Sequence, residues 1–186
     1  SVVGLIVQSA GGLRQSLEQL NRFGRLIADI DASIGGDRYV LRFEGAALWL
    51  IDYLPNANLA PTAIEDTFTR MICDIRRLHP DRVFAQEVEL SYPEPAHRAV
   101  YDEIWQVPIR FNAARNAIRI DPTWAEDTAP PENPYVFGLF AGHGESLLDH
   151  LRQTTTIVGQ LEARLLPSLH QGTPSADDIA RAMGMS

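Results

Sequence analysis

Apolar residues recur along this chain with two periods, and the switches between them outline its elements. The first run, Val2-Val3-Gly4-Leu5-Ile6-Val7, is short and β-branched and predicts a strand or a buried lead-in, broken by Gly11-Gly12. Leu13, Leu17, Leu20, Phe23, Ile27 and Ile30 then return at helical spacing, with Arg14, Gln15, Glu18, Arg22 and Arg25 between them. That is an amphipathic helix, ended near Asp31 and the Gly35-Gly36 pair. Runs 38–43 and 46–52, joined across Glu44-Gly45, predict a β-hairpin. After a loop at 55–61, Thr62 reads as a helix cap, with Glu65 completing a capping box. Ile64, Phe68, Ile72, Ile75 and Leu78 form that helix's apolar stripe, and Pro80 ends it.

Residues 82–90 alternate as a strand does, with Val83, Ala85, Glu87 and Glu89 on one face and Phe84, Gln86, Val88 and Leu90 on the other. A short helix is predicted over 96–105, then strands over 109–111 and 117–120 about a turn at 113–116. Pairing these two strands sets Phe111 against Ile118, Ile109 against Ile120, and Arg110 directly against Arg119 on the other face. Residues 123–135, rich in Pro, Asp and Glu, predict an exposed loop. The apolar run 136–141 fits strand or helix equally. A long helix is predicted from near Gly144, with Leu147, Leu151, Val158, Leu161 and Leu165 as its stripe and Pro167 kinking or ending it. This stripe serves equally as a dimer seam or as the face docked on the chain's own core.

At the C-terminus, Ser175 is placed to cap a short helix by accepting from the amide of Asp178, and Asp177 and Asp178 suit its positive end. Ile179, Ala180 and Met183 give that helix an apolar face, Gly184 stops it, and Ser186 reads as a second cap. A capped helix, a glycine turn and a new cap form the first half of a helix-turn-helix.

Composition narrows the classes. The chain has 186 residues, 45% of them hydrophobic, enough for one domain with an appendage. Its formal net charge is −8, from 16 Lys and Arg against 24 Asp and Glu, so it is not expected to grip DNA unaided. Cys73 is the single cysteine, which excludes a disulfide framework within the chain and fits a reducing, cytoplasmic setting. No apolar run approaches membrane-spanning length.

Two stretches carry a resemblance. Pro174-Ser175, Asp178-Ile179-Ala180 and Met183-Gly184-Met185-Ser186 resemble the opening of the DNA-binding domain of AraC-family transcription regulators. Tyr92-Pro93, Tyr101, Val107-Pro108-Ile109-Arg110-Phe111, Asn116 and Ile118-Arg119-Ile120-Asp121-Pro122 are similar to the arabinose-binding-like sensor domain of one branch of that family. The family's histidine near the strand before the Tyr-Pro loop has no counterpart; Glu87 and Glu89 occupy that region. The resemblance implies an effector-sensing domain over 1–143 that lacks its first helices, a linker and dimerisation helix over 144–172, and the start of a helix-turn-helix over 173–186. It implies a homodimer, a small-molecule effector, no cofactor, and DNA contact only through residues beyond Ser186. The expected fold is α+β, a small, mostly antiparallel sheet with packed helices.

Candidate chemistry is sparse. Arg110 opposite Arg119 calls for compensation, either by a carboxylate such as Glu87 or Glu89 or by a bound anion held in two guanidinium forks, with Trp105 or Tyr101 stacking a flat ligand. His143, Glu145, Asp149 and His150 cluster, but not at the spacing of a helical zinc site, so no metal is expected. Glu87 and Glu89 resemble an acid–base pair, and a solvated strand face produces the same pattern. A stand-alone hydrolase using these groups and a ligand-free dimerisation module are the alternatives to a sensor.

Overall fold

The computed structural model describes residues 1–27, 36–59 and 61–155. Five helices and five strands are formed among them. The chain divides into two compact units, 1–137 and 138–186, the break falling within the last helix.

The first run is a helix, not a strand: α1 (Val2–Ser9) starts where the Ser1 hydroxyl accepts from the Gly4 amide at 3.2 Å. Its buried residues, Val3 and Ile6, sit one turn apart. A short apolar run has no period of its own to separate helix from strand, and here the cap settles it. Helix α2 (Leu13–Phe23) follows, with Leu13, Leu17 and Phe23 buried, then a 3-10 turn, Gly24–Leu26. It ends earlier than its apolar spacing predicts, and Ile27 is exposed. Gly11-Gly12 lies against the chain at 127–130. A Cβ on Gly11 would stand 1.9 Å from the Ala129 carbonyl oxygen, and one on Gly12 would stand 2.0 Å from that of Asp127. The Gly12 amide donates to Ala129 at 2.9 Å, so this turn needs glycine for close approach.

Strands β1 (Tyr39–Glu44) and β2 (Ala47–Asp52) make the expected hairpin, with Gly45 at φ 61° in the turn. Its open end is pinned by a buried pair, Arg38 to Asp52 at 2.7 Å. Helix α3 (Pro61–Leu78) buries Ile64, Phe68 and Ile72. Pro61 occupies its first turn and Thr62 lies inside the helix, so the expected Thr62–Glu65 capping box is not formed. Strand β3 (Ala85–Glu89), helix α4 (Arg98–Trp105), strands β4 (Ile109–Arg110) and β5 (Asn116–Ile120) complete the sheet.

Strand order is β1-β2-β5-β3-β4, antiparallel throughout except for β3 with β4. This bears out the expected α+β class but overturns the expected pairing of β4 with β5. Strand β3 lies between them, α4 being the helical crossover that parallel strands require. A register shift between Ala85 and Glu87 moves Ala85 to the face of Ile120, while Glu87 and Glu89 stay on the other. Leu48, Leu50, Val88, Ile118 and Ile120 form one face of the sheet, and α2, α3 and α4 supply Leu17, Phe68 and Trp105 to the same cluster. Trp49, Ile51 and Ala117 form a second buried cluster on the opposite face.

Residues 123–135 are not simply exposed. Pro122–Glu126 is a 3-10 turn whose Trp124 is buried, donating from Nε1 to the Val83 carbonyl at 2.8 Å, with the Arg82 guanidinium 3.7 Å from its ring centre. The last helix, α5 (Pro134–Thr155), begins ten residues before the expected Gly144 and takes in the ambiguous run 136–141. Leu147 and Leu151 are half-buried on it, and Leu148 is the buried leucine. Ile30, Val158, Leu161 and Leu165, the caps Ser175 and Ser186, and the expected helix-turn-helix start lie outside the described residues. Among the described residues no helix is long and apolar enough to cross a membrane.

Candidate functional site

On α3 the core stripe is Ile64, Phe68 and Ile72, which puts Glu65 and Thr69, four apart, on one flank of the helix. On α4, Tyr101 and Trp105 share the same spacing and are its buried residues. The two flanks meet as a two-rung ladder. The Tyr101 hydroxyl donates to Glu65 Oε1, and Trp105 Nε1 donates to the Thr69 hydroxyl at 2.9 Å. Tyr92, in the loop after β3, donates to the same Glu65 oxygen at 3.3 Å. Phe111, just past β4, stands edge-on to Tyr101 at 5.8 Å, and His97 stacks on Tyr101 at 5.5 Å. Arg76 of α3 donates to the Ile104 carbonyl at 3.0 Å and to that of Trp105, closing the end of α4.

A half-buried carboxylate is thus bonded by two phenols inside an aromatic surround. Burial, and then the Glu65 carboxylate, raises the Tyr92 phenol well above its ordinary value. Burial and the hydrogen bond to Glu65 push Tyr101 up to about 12. Both stay neutral donors near pH 7, so the cluster offers hydrogen-bond exchange at a carboxylate and flat apolar surface.

The opposite face of the sheet carries a ladder of charge. In register, Glu89 of β3 stands beside Arg110 of β4, and Glu87 stands beside Arg119 of β5. Arg110 pairs with Glu89 and lies 3.4 Å from Glu87, and Arg119 lies 3.8 Å from Glu87. Arg115, before β5, donates from Nε to Glu89 at 2.8 Å and from Nη2 to Glu44 at 2.9 Å, with its guanidinium 4.5 Å from the Trp49 ring centre. The hydrogen bonds to Glu44 lead the causes that raise the Arg115 guanidinium, and they hold Glu44 below the usual carboxylate range.

The four residues expected to line one ligand site therefore fall in two places. Tyr101 and Trp105 belong to the core face; Arg110 and Arg119 belong to the other. The predicted contact of Arg110 with Arg119 is absent because β3 separates their strands and supplies a carboxylate to each. Thr69 and Arg115 were not singled out by sequence, and Glu65 was read there only as half of a capping box. The matched four-residue spacings, Glu65 with Thr69 and Tyr101 with Trp105, are the signal that points to the helix ladder.

Of the other expected groups, Asp149 on α5 pairs with Arg152 at 3.2 Å, and Cys73 is half-buried with its sulfur 4.0 Å from the Ile104 carbonyl. Among the described residues no three His, Cys, Asp or Glu gather to hold a metal ion.

Residues 1–128 match the family described as the arabinose-binding domain of AraC transcription regulator, N-terminal. The crystal structure of the transcriptional regulator CdpR from Pseudomonas aeruginosa is similar in fold, with a TM-score of 0.51 and 20% identity. The similarity takes in 100% of this chain and 59% of that one, so this chain spans less than two thirds of its neighbour's length. No curated protein matches it in sequence.

Proposed function

We propose, on the premise that this chain belongs to the family of arabinose-binding N-terminal domains of AraC transcription regulators, that it senses a small molecule at the Glu65 cluster and passes that state to a DNA-binding domain. The observation that carries this reading is the convergence on one carboxylate of donors from two segments, the β3–α4 loop and α4. An effector bearing hydroxyl or amino donors competes with Tyr92 and Tyr101 for Glu65, and its apolar part lies against Tyr101, Trp105 and Phe111. Such a ligand shifts an equilibrium only by its differential affinity for two arrangements. Releasing the Tyr101 phenol from Glu65 removes one of the two rungs between α4 and α3, which supplies that difference.

The cluster is favoured over Arg110 and Arg119 because both guanidiniums already face carboxylates. An anionic effector at the arginines would have to displace Glu87 and Glu89. Homodimerisation through the α5 stripe, with Leu147 and Leu151, belongs to the same proposal and would set two DNA-binding domains to their half-sites.

The test is a thermal-shift screen with metabolites, followed by the hit on three variants. A ligand that binds the folded chain raises the melting temperature. Glu65→Gln and Tyr101→Phe should each abolish most of the shift, and Arg110→Ala with Arg119→Ala should leave it. The site assignment fails if the first two variants respond as the wild type does. A screen in which no ligand class shifts the transition favours a ligand-free dimerisation module.

A further inference from the structure

The two edges of the sheet are treated differently. Strand β4 is two residues long and follows Pro108, which has no amide to offer, so that edge is blunted. Strand β1 is six residues long and carries neither proline nor bulge. Its outward backbone groups can be read from the hydrogen bonds. The Arg38 carbonyl accepts from Tyr53 across the hairpin, so Val40, Arg42 and Glu44 point their amides and carbonyls at β2. Tyr39, Leu41 and Phe43 point theirs away. At Tyr39 both groups are occupied by the side chain of Asn21, each at 2.8 Å. At Leu41 and Phe43 they have no partner among the described residues, and Arg42, Phe43 and Glu44 are exposed.

We propose that β1 pairs antiparallel with β1 of a second copy of this chain, centred on Phe43. The register follows by elimination. Centring on Leu41 would set Phe43 against a Tyr39 whose backbone is taken by Asn21. Centring on Arg42 would set two arginines face to face, which destabilises a strand pair. Centring on Phe43 sets Arg42 against Glu44 of the partner subunit, twice by symmetry, and Phe43 against the partner's Phe43 on the other face. The backbone groups of Phe43 are then satisfied reciprocally, and Leu41 stands opposite the partner's Gly45. The paired window closes before it reaches the Asn21 cap. Arg115 holds Glu44 at 2.9 Å, and a carboxylate has acceptor sites for both guanidiniums. Phe43, 56% exposed in one copy, gains an aromatic partner. The interface is short, so it forms at high concentration or between copies already held together elsewhere. It does not depend on the effector reading.

Amide hydrogen exchange on the full, unmodified chain at low and high concentration tests this directly. Protection of the Leu41 and Phe43 amides should rise with concentration, while that of Arg42, already bonded to β2, stays the same. Flat exchange at Leu41 and Phe43 overturns the proposal. A cross-link gives the register. Phe43→Cys, with Cys73→Ser making it the one thiol, should form a disulfide dimer under mild oxidation, since opposed hydrogen-bonded residues have Cα atoms about 5.5 Å apart. Val83→Cys in the same background, exposed elsewhere, should yield about tenfold less. Adding Arg42→Glu sets carboxylates face to face and should lower the Phe43→Cys yield about tenfold, whereas Arg42→Lys should keep it. Equal yields from Phe43→Cys and Val83→Cys, or no effect of Arg42→Glu, overturn the register.

Discussion

Replacing Glu89 by glutamine tests whether the arginines on the sheet's outer face hold the fold or wait for a ligand. The Glu89 side chain is 9% exposed and accepts from Arg110 and from Arg115. Removing one member of a fully buried pair costs about 3–5 kcal/mol, chiefly through the charge left behind. Neither arginine is so placed. The Arg110 side chain is 59% exposed, so it regains water, and Arg115 at 25% keeps Glu44 and the face of Trp49. The glutamine amide keeps one acceptor oxygen and turns a donor toward the other guanidinium, so one charge-assisted hydrogen bond weakens and one is lost, which with partial resolvation brings the loss to about 2 kcal/mol. Urea unfolding reads it as a lower midpoint at unchanged slope, and heating as a fall of about 4–8 °C for a chain of this size. Glu87→Gln should cost less, about 0.5 kcal/mol, because its contacts are long, at 3.4 and 3.8 Å, to half-exposed guanidiniums. A Glu89→Gln midpoint within error of the wild type would refute the reasoning and return the arginines to the list of ligand contacts.

Three further outcomes are expected. Gly12→Ala should destabilise by about 2–4 kcal/mol, through a clash with the Asp127 carbonyl and loss of the Gly12 to Ala129 bond, whereas Gly4→Ala, with only Ser1 Oγ at 3.6 Å, should gain about 0.5–1 kcal/mol from helix propensity; the same urea titrations check both signs. Thr69→Val removes the partner of a buried indole N–H and should cost about 1–2 kcal/mol, with a change in Trp105 fluorescence that Thr62→Val, at an exposed site, does not produce. Glu44 and Asp121 titrate below the ordinary carboxylate value, the first through Arg115 and the second through Thr123. Their contribution is therefore present above about pH 4 and lost as pH falls through their folded values, and Arg115→Ala should flatten that part of the midpoint-against-pH curve.

The stripes of α2 and α3, the hairpin about Gly45, the strand at β3 and the α+β class were all legible from spacing, because helix and strand periods are local properties. The signature around Tyr92, Ile109 and Ile118 was enough to indicate the family. What the chain order could not carry was adjacency. Strands β4 and β5 are close in sequence, and a short turn between them looks like a hairpin, yet β3 buries Val88 between their apolar residues and offers Glu87 and Glu89 to their arginines. That choice is a sum over long-range contacts with no local mark. The same holds for Glu65, which a four-residue pattern assigned to a cap and the packing of α4 on α3 assigns to two tyrosines. It holds for Trp124 as well, in a stretch whose composition says loop but whose indole is buried and bonded to Val83. Sequence period decides which side of an element is apolar. Tertiary packing decides which element that side meets, and hence which polar groups at its border become one site.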